Sequence, residues 1–245
     1  MPAFGRVFAR LFTIQASWNY ERMQGIGFGN AAEPALRSLD DGAAGPRYRA
    51  ALARQAQFFN SHPYFAGLAV GAAVRAEFEG EKPERIHRLR STLGPPLGSL
   101  GDRLIWAAWL PFCAATGIAL FIFGARAWAA IAFLLLYNVV HIACRWWALR
   151  AGWEHGMTVV AALQSPVLRL AGRLAVPLAG LSVGAIIPLA LGWQMAGATG
   201  TMLAAAGGGA LLFVLAARLV STRISGAALA ALMLGATWIV GLLWR

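Results

Sequence analysis

The polar side chains most able to do chemistry lie together near the start of the chain, from Gln15 to Arg22. These eight positions hold five side chains that hydrogen-bond or ionise and two aromatic rings. Amide and carboxylate groups bind sugar hydroxyls, and an aromatic ring covers the apolar face of a sugar. We predict that Gln15, Trp18, Asn19 and Glu21 bind or gate a solute. The alternative is an interfacial aromatic belt with a snorkelling arginine.

Two more polar residues stand out by their position. Asn60 follows two phenylalanines and precedes His62 and Pro63, which is also typical of a turn that ends a helix. Asp102 is the only acid between Glu84 and Glu154 and comes directly before an apolar stretch, where an N-cap is the alternative role. We predict that both residues organise the solute site.

The sequence contains no recognisable catalytic or metal-binding set. Its four histidines show no metal-ligand spacing, and no phosphate-binding glycine loop is present. We therefore predict no catalytic residue, no metal site and no cofactor, which disfavours an integral membrane enzyme. The histidines are His62, His87, His141 and His155.

Composition indicates an integral membrane protein. The apolar share is 59% and the charged share 13%, against about 25% charged residues in an average soluble domain. No Asp, Glu, Lys or Arg occurs from position 174 to 217, a run long enough for two spans of about 20 residues. The net charge of +11 fits basic loops on the anionic side of a bilayer, so we predict no nucleic-acid partner.

These residues have to be positioned by helices of two kinds. The first 92 residues predict short amphipathic or polar helices over 4–25, 47–60, 64–79 and 83–91. On a helix over 4–25, Gln15, Trp18, Asn19 and Arg22 would share one face. Residues 93–102 contain two prolines and three glycines, which predicts a break in regular helix. Such irregular backbone occurs at membrane depth where protein or a water-filled cavity surrounds it.

The remainder predicts a transmembrane bundle. We expect an all-α polytopic membrane protein with amphipathic and broken or re-entrant N-terminal helices and about five membrane spans. The chain divides into a polar part, 1–92, and a bundle, 93–245. Arginine density places the N-terminus and a connector at 148–173 in the cytoplasm. The predicted spans are 104–123, 127–147, 174–193, 202–218 and 226–244.

Three motifs in this order resemble one family, the IID subunits of mannose-type phosphotransferase-system permeases. The segment from Gln15 to Phe28 looks like the N-terminal signature of that family. Phe58 to Tyr64 resembles its FFNTHP motif, and Leu93 to Asp102 resembles its LMGPLAGIGD motif. A weaker match falls at Leu136, Tyr137 and Asn138.

The resemblance implies a multi-pass protein of the bacterial inner membrane, embedded in the lipid bilayer. It would translocate a sugar together with a IIC membrane subunit, as a trimer of IIC–IID heterodimers, while separate IIA and IIB phosphocarrier proteins phosphorylate the sugar. The phosphohistidines belong to IIA and IIB, in agreement with the lack of a catalytic histidine here.

The chain departs from the family pattern at several positions, and these departures bear on sugar specificity. The family's Gly-Thr pair and Arg after the third motif are replaced by Ala107, Ala108 and Leu110. A Glu-Glu pair is replaced by Glu77 and Glu79 with Phe78 between them. The alternative function is therefore a regulatory or assembly subunit of an incomplete phosphotransferase system that transports little sugar.

Overall fold

Eight α-helices account for most of the computed structural model, which describes residues 1–43 and 45–194. No strand occurs in these two ranges. Residues Met1–Ala190 form one compact unit. The helices are α1 (Phe4–Leu11), α2 (Gly25–Leu36), α3 (Pro46–Gln55), α4 (Ala66–Phe78), α5 (Pro83–Gly101), α6 (Leu110–Leu120), α7 (Ala127–His155) and α8 (Pro166–Gln194). Wide π-helical turns occupy Asp102–Trp109 and Phe121–Ala125, and a 3-10 helix occupies Gly156–Gln164.

Helix α4 lies at the centre of the unit, with every residue from Ala66 to Val74 buried. It packs closely on α7 because small residues meet at the contact. A Cβ on Gly71 would lie 2.5 Å from the Leu149 carbonyl oxygen, and one on Gly152 would overlap the Leu68 carbonyl oxygen. Glycine lets the two backbones approach, as in other membrane-helix pairs.

Buried carboxylates tie the short N-terminal helices to this centre. Glu77 on α4 accepts hydrogen bonds from Arg54 at 3.0 and 2.6 Å and from Gln55 at 2.7 Å. Glu33 on α2 accepts from Arg10, Arg37 and Tyr48. Burial alone would raise the pKa of Glu33, but these hydrogen bonds outweigh it, so the pKa lies below its usual range. Glu33 therefore stays charged. Together the hydrogen bonds to the two carboxylates hold α1, α2, α3 and α4 together.

Three helical stretches are long and apolar enough to cross a membrane: Pro83–Ala125, Ala127–Gln164 and Leu168–Ile186. The first two contain the predicted spans 104–123 and 127–147, and the third overlaps the predicted span 174–193 as far as Ile186. The predicted spans 202–218 and 226–244 lie outside the described residues. Helix α7 continues to His155, so the prediction of a connector from 148 was wrong at its start. The outer face of α7 carries exposed apolar residues such as Trp128, Leu135 and Val139, as expected of a lipid-facing surface.

The prediction of one helix over 4–25 was wrong. Helix α1 ends at Leu11, and turns occupy residues 12–24. The Asn19 side chain explains part of this, because its Oδ1 accepts the backbone N–H of Glu21 at 3.1 Å and of Arg22 at 2.8 Å. Such local bonds compete with a helix. Met23 then takes a left-handed conformation with φ of 50°.

The predicted break at 93–102 was also wrong, because α5 runs without interruption through Pro95 and Pro96 to Gly101. The glycines serve close packing. A Cβ on Gly94 would lie 2.8 Å from the Asn60 carbonyl oxygen, and one on Gly101 would overlap the His62 ring. The irregularity comes later, in the wide π turn that follows α5, a feature often found at functional sites.

Candidate functional site

The first two motif segments are hydrogen-bonded to each other. The backbone N–H of Gln24 donates to the Phe59 carbonyl at 2.8 Å, and the Phe59 N–H donates to the Arg22 carbonyl at 3.3 Å. The Gln24 side chain adds a bond from Nε2 to the Ser61 carbonyl at 2.7 Å. Two stretches more than 30 residues apart in sequence thus form one loop unit.

This loop unit faces the third motif across a polar cleft. The cleft has a volume of about 690 Å³, within the range of roughly 300–1,000 Å³ that is common for small-molecule sites. One wall is the loop unit, and the other is α5 with the π turn after it. Polar groups on the walls come from Gln15, Gln24, Asn60, His62, Ser99, Asp102 and Arg103.

His62 reaches the cleft as a buried imidazole that is 2% exposed. Its Nδ1 accepts the backbone N–H of Tyr64 at 3.2 Å, so the neutral ring carries its proton on Nε2. Burial, together with the smaller effects of the neighbouring Arg145 and His141, lowers the pKa of His62 to about 4. The ring meets Trp106 edge-on, with centroids 4.8 Å apart. His62 is therefore a neutral donor at physiological pH.

Gln24 and His62 each leave one polar atom unsatisfied. Gln24 is 2% exposed, and its Oε1 has no hydrogen-bond partner among the described residues; nor does Nε2 of His62. A buried polar group without a partner costs about 1–3 kcal/mol. Both residues line the polar cleft, and their two unsatisfied atoms are one acceptor and one donor, the two roles that a single hydroxyl group complements.

Three of the six predicted site residues come together in the cleft: Gln15, Asn60 and Asp102. They derive from three different motifs. The cleft thus contains an amide from each of the first two motifs and a carboxylate from the third.

The other three predicted residues lie in the same loop but outside the cleft walls. Trp18 is 43% exposed and meets Tyr20 edge-on at 4.9 Å. The Asn19 side chain forms its hydrogen bonds within the local turn. Glu21 is exposed, and its Oε1 lies 3.9 Å from Nε of Arg22. Because residues 15–22 are not helical, Gln15, Trp18 and Asn19 do not share a helix face.

Sequence reasoning missed Gln24 and His62 as cleft residues. Gln24 lies two positions beyond the polar run that was singled out, and His62 lies inside the second motif. The sequence feature that could have identified both residues is their position inside the first and second motifs. Among the described residues, no three His, Cys, Asp or Glu side chains lie close enough to hold a metal ion.

The chain is similar in sequence to the members of one protein family. The sequence model for the IID component of the mannose/fructose/sorbose family of phosphotransferase systems matches residues 3–196. The mannose-specific IID component of Escherichia coli is 30% identical over 159 residues, 63% of this chain and 56% of that protein. The sorbose-specific IID component of Klebsiella pneumoniae is 32% identical over 168 residues, 66% of this chain and 60% of that protein. The matches thus span little more than half the length of these relatives.

Two solved structures share the fold. One is a chain of the mannose transporter ManYZ in complex with a microcin, with a TM-score of 0.59 and 28% identity. The other is described as a membrane protein, with a TM-score of 0.67 and 28% identity. Each likeness covers 75% of this chain and 68% of the other.

Proposed function

Because the chain belongs to the family of IID components of mannose/fructose/sorbose phosphotransferase systems, we propose that it translocates a sugar together with a IIC membrane subunit. IIA and IIB proteins phosphorylate the sugar, and the complex is a trimer of IIC–IID heterodimers in the bacterial inner membrane. A related chain occurs in a solved mannose transporter, which supports a partner subunit.

The observation that carries the proposal is the pair of unsatisfied groups in the polar cleft. The acceptor Oε1 of Gln24 and the donor Nε2 of His62 are buried without partners among the described residues. A sugar hydroxyl satisfies both, and the Trp106 ring beside His62 offers an aromatic face. Gln15, Asn60 and Asp102 supply further hydrogen-bond groups along the same walls.

We assign a gating role at the exposed loop to Trp18, Asn19 and Glu21. Trp18 and Tyr20 form an exposed aromatic pair. The turn that Asn19 holds carries this pair and leads to Gln24. A loop of this kind changes access to the cleft if it moves.

The test is sugar uptake normalised to assembled complex, measured for Gln24→Leu, Asn60→Ala and Trp18→Ala. Losing a hydrogen bond to a bound sugar changes affinity by about 1–3 kcal/mol, roughly fivefold to a hundredfold. We expect Gln24→Leu and Asn60→Ala to raise the sugar concentration for half-maximal uptake by such a factor. Trp18→Ala is expected to lower the maximal rate more than the amount of complex.

Matched controls come from the same residue types outside the cleft. Asn138→Ala changes an exposed asparagine of α7 whose side-chain amide donates to the Leu134 carbonyl of its own helix. Trp128→Ala changes a tryptophan that is 72% exposed. Both are expected to leave normalised uptake near the wild-type value. If the cleft variants assemble and transport like these controls, the cleft is not the sugar path.

A further inference from the structure

A second cleft, almost wholly apolar, lies between the first span, α7 and α8. Its volume is about 530 Å³. Because its walls come from all three candidate membrane spans, it opens at membrane depth, where the surroundings are hydrocarbon. The wall residues include Leu104, Trp109, Phe112, Trp147, Leu168 and Leu178.

One edge of this apolar cleft is basic. Arg103 directly precedes the wall residue Leu104, and its Nη2 lies 3.5 Å from the place that a Cβ on Gly172 would occupy. Gly172 in turn follows the wall residue Ala171 on α8. The Arg103 guanidinium therefore lies where the π turn and α8 approach each other at the rim.

Two more arginines flank this point on α8. Arg169 and Arg173 are exposed and lie three residues before and one residue after Gly172. Within residues 1–43 and 45–194, neither these two nor Arg103 forms an ion pair with a carboxylate. Three guanidinium groups that are not ion-paired with a carboxylate in this part of the chain favour the binding of an anion, and the planar arginine side chain is well suited to phosphate.

The apolar wall also contains one unsatisfied donor. The indole Nε1 of Trp109 is buried and has no acceptor among the described residues. A buried tryptophan N–H usually finds a partner. An ester carbonyl is an acceptor that can enter such a cleft attached to an apolar chain.

We propose that this cleft binds an anionic phospholipid. One acyl chain fills the apolar cleft, and the phosphate lies against Arg103, Arg169 and Arg173. Basic pockets between membrane helices are suited to such headgroups. The site is separate from the sugar path proposed above, although Arg103 borders both clefts.

The test is native mass spectrometry of the full-length chain in its membrane complex, delipidated and then titrated with lipids of identical acyl chains. We expect phosphatidylglycerol to bind at least about fivefold more tightly than phosphatidylcholine, because both carry the phosphate but the choline cation of phosphatidylcholine cancels the net negative charge that faces the three arginines. Arg169→Gln with Arg173→Gln removes this preference without touching the sugar cleft. Ala143→Trp, on the α7 wall, weakens binding of both lipids at least about fivefold.

Charge-matched and size-matched controls separate this site from general lipid contact. Arg6→Gln with Arg126→Gln removes two exposed arginines elsewhere, and Leu135→Trp enlarges an exposed lipid-facing residue of α7. Both are expected to bind lipid like the wild type. Unchanged binding in Ala143→Trp overturns the cleft assignment. A preference that survives in the Arg169 and Arg173 variant, or equal binding of an unesterified fatty acid, overturns the phosphate assignment.

Discussion

His62 connects the chemistry of a single side chain with the pH range in which the protein is stable. Its pKa is lowered to about 4, first by burial and then by Arg145 and His141, whereas an unfolded histidine has a pKa of about 6.5. Below pH 6.5 the unfolded chain binds a proton that the folded chain does not. The contribution of His62 to the free energy of unfolding is therefore fully present above pH 6.5 and falls as the pH falls towards 4. The loss is about 2 kcal/mol at pH 5.

We predict that His62→Asn reduces this pH dependence. An asparagine oxygen can still accept the Tyr64 N–H that Nδ1 of His62 accepts now, but it does not titrate. The measurement is the thermal midpoint of the purified complex at pH 7.5 and pH 5. The wild type is expected to lose more stability over this interval than His62→Asn. Equal losses in the two proteins would show that His62 is not protonated during unfolding.

At the scale of residues, the sequence predicted which motifs carry the polar groups but only some of the groups themselves. Gln15, Asn60 and Asp102 were recognisable by type and position, and they line one cleft. Gln24 and His62 were not, because their importance depends on burial between the two loops. Burial of that kind is a tertiary property, and no spacing in the sequence encodes it.

At the scale of helices, prediction succeeded where apolar pattern and length agree. Helix α4 and the first two spans were recognised in this way. It failed where local chemistry decides the outcome. The Asn19 side chain bonds to the backbone of its own turn and so opposes a helix there. Helix α5 runs through Pro95 and Pro96 although proline lacks a backbone donor. The glycines that predicted a break instead let Asn60 and His62 pack closely against this helix.

The helix ends also bear on membrane topology. Arg75 on α4 donates to the carbonyls of Trp153, at 3.0 Å, and Glu154, near the C-terminal end of α7. Phe78 meets Trp153 edge-on at 5.8 Å. The N-terminal helices therefore lie at the same end of α7 as the start of the 148–173 segment, and the turn at Gly124 and Arg126 lies at the other end of α7.

We predict that Ser38 and Gln164 face the cytoplasm and that Ala125 faces outside. The reason is the arginine density of the first two segments under the positive-inside rule, together with the shared end of α7. The measurement is labelling of single cysteines at these positions by an impermeant reagent in intact cells, with Cys113 and Cys144 replaced. Only the Ala125 cysteine should react before lysis. Reaction of Ser38→Cys or Gln164→Cys from outside would reverse the assigned topology.

At the scale of the whole molecule, the polar cleft opens where the first membrane span begins. Asp102 and Arg103 are both exposed, and they directly precede the apolar stretch that starts at Leu104. Charged side chains in a span cost roughly 2.5–3.5 kcal/mol each at the helix centre on insertion scales, and less near the interface. A charged, open cleft beside lipid is therefore unfavourable unless other protein covers it.

This exposure predicts that the chain depends on the proposed IIC partner for stable function. We expect the chain expressed alone to give aggregated or heterogeneous material after detergent extraction, and coexpression with IIC to give a monodisperse complex. Size-exclusion chromatography of the extracts measures the difference. Replacing both charges, as Asp102→Ala with Arg103→Ala, should raise the monodisperse fraction of the lone chain, whereas Glu84→Ala with Arg88→Ala, two exposed charges outside the cleft, should not. A monodisperse wild-type chain that transports sugar without IIC would contradict the prediction, because the open cleft would then need no cover.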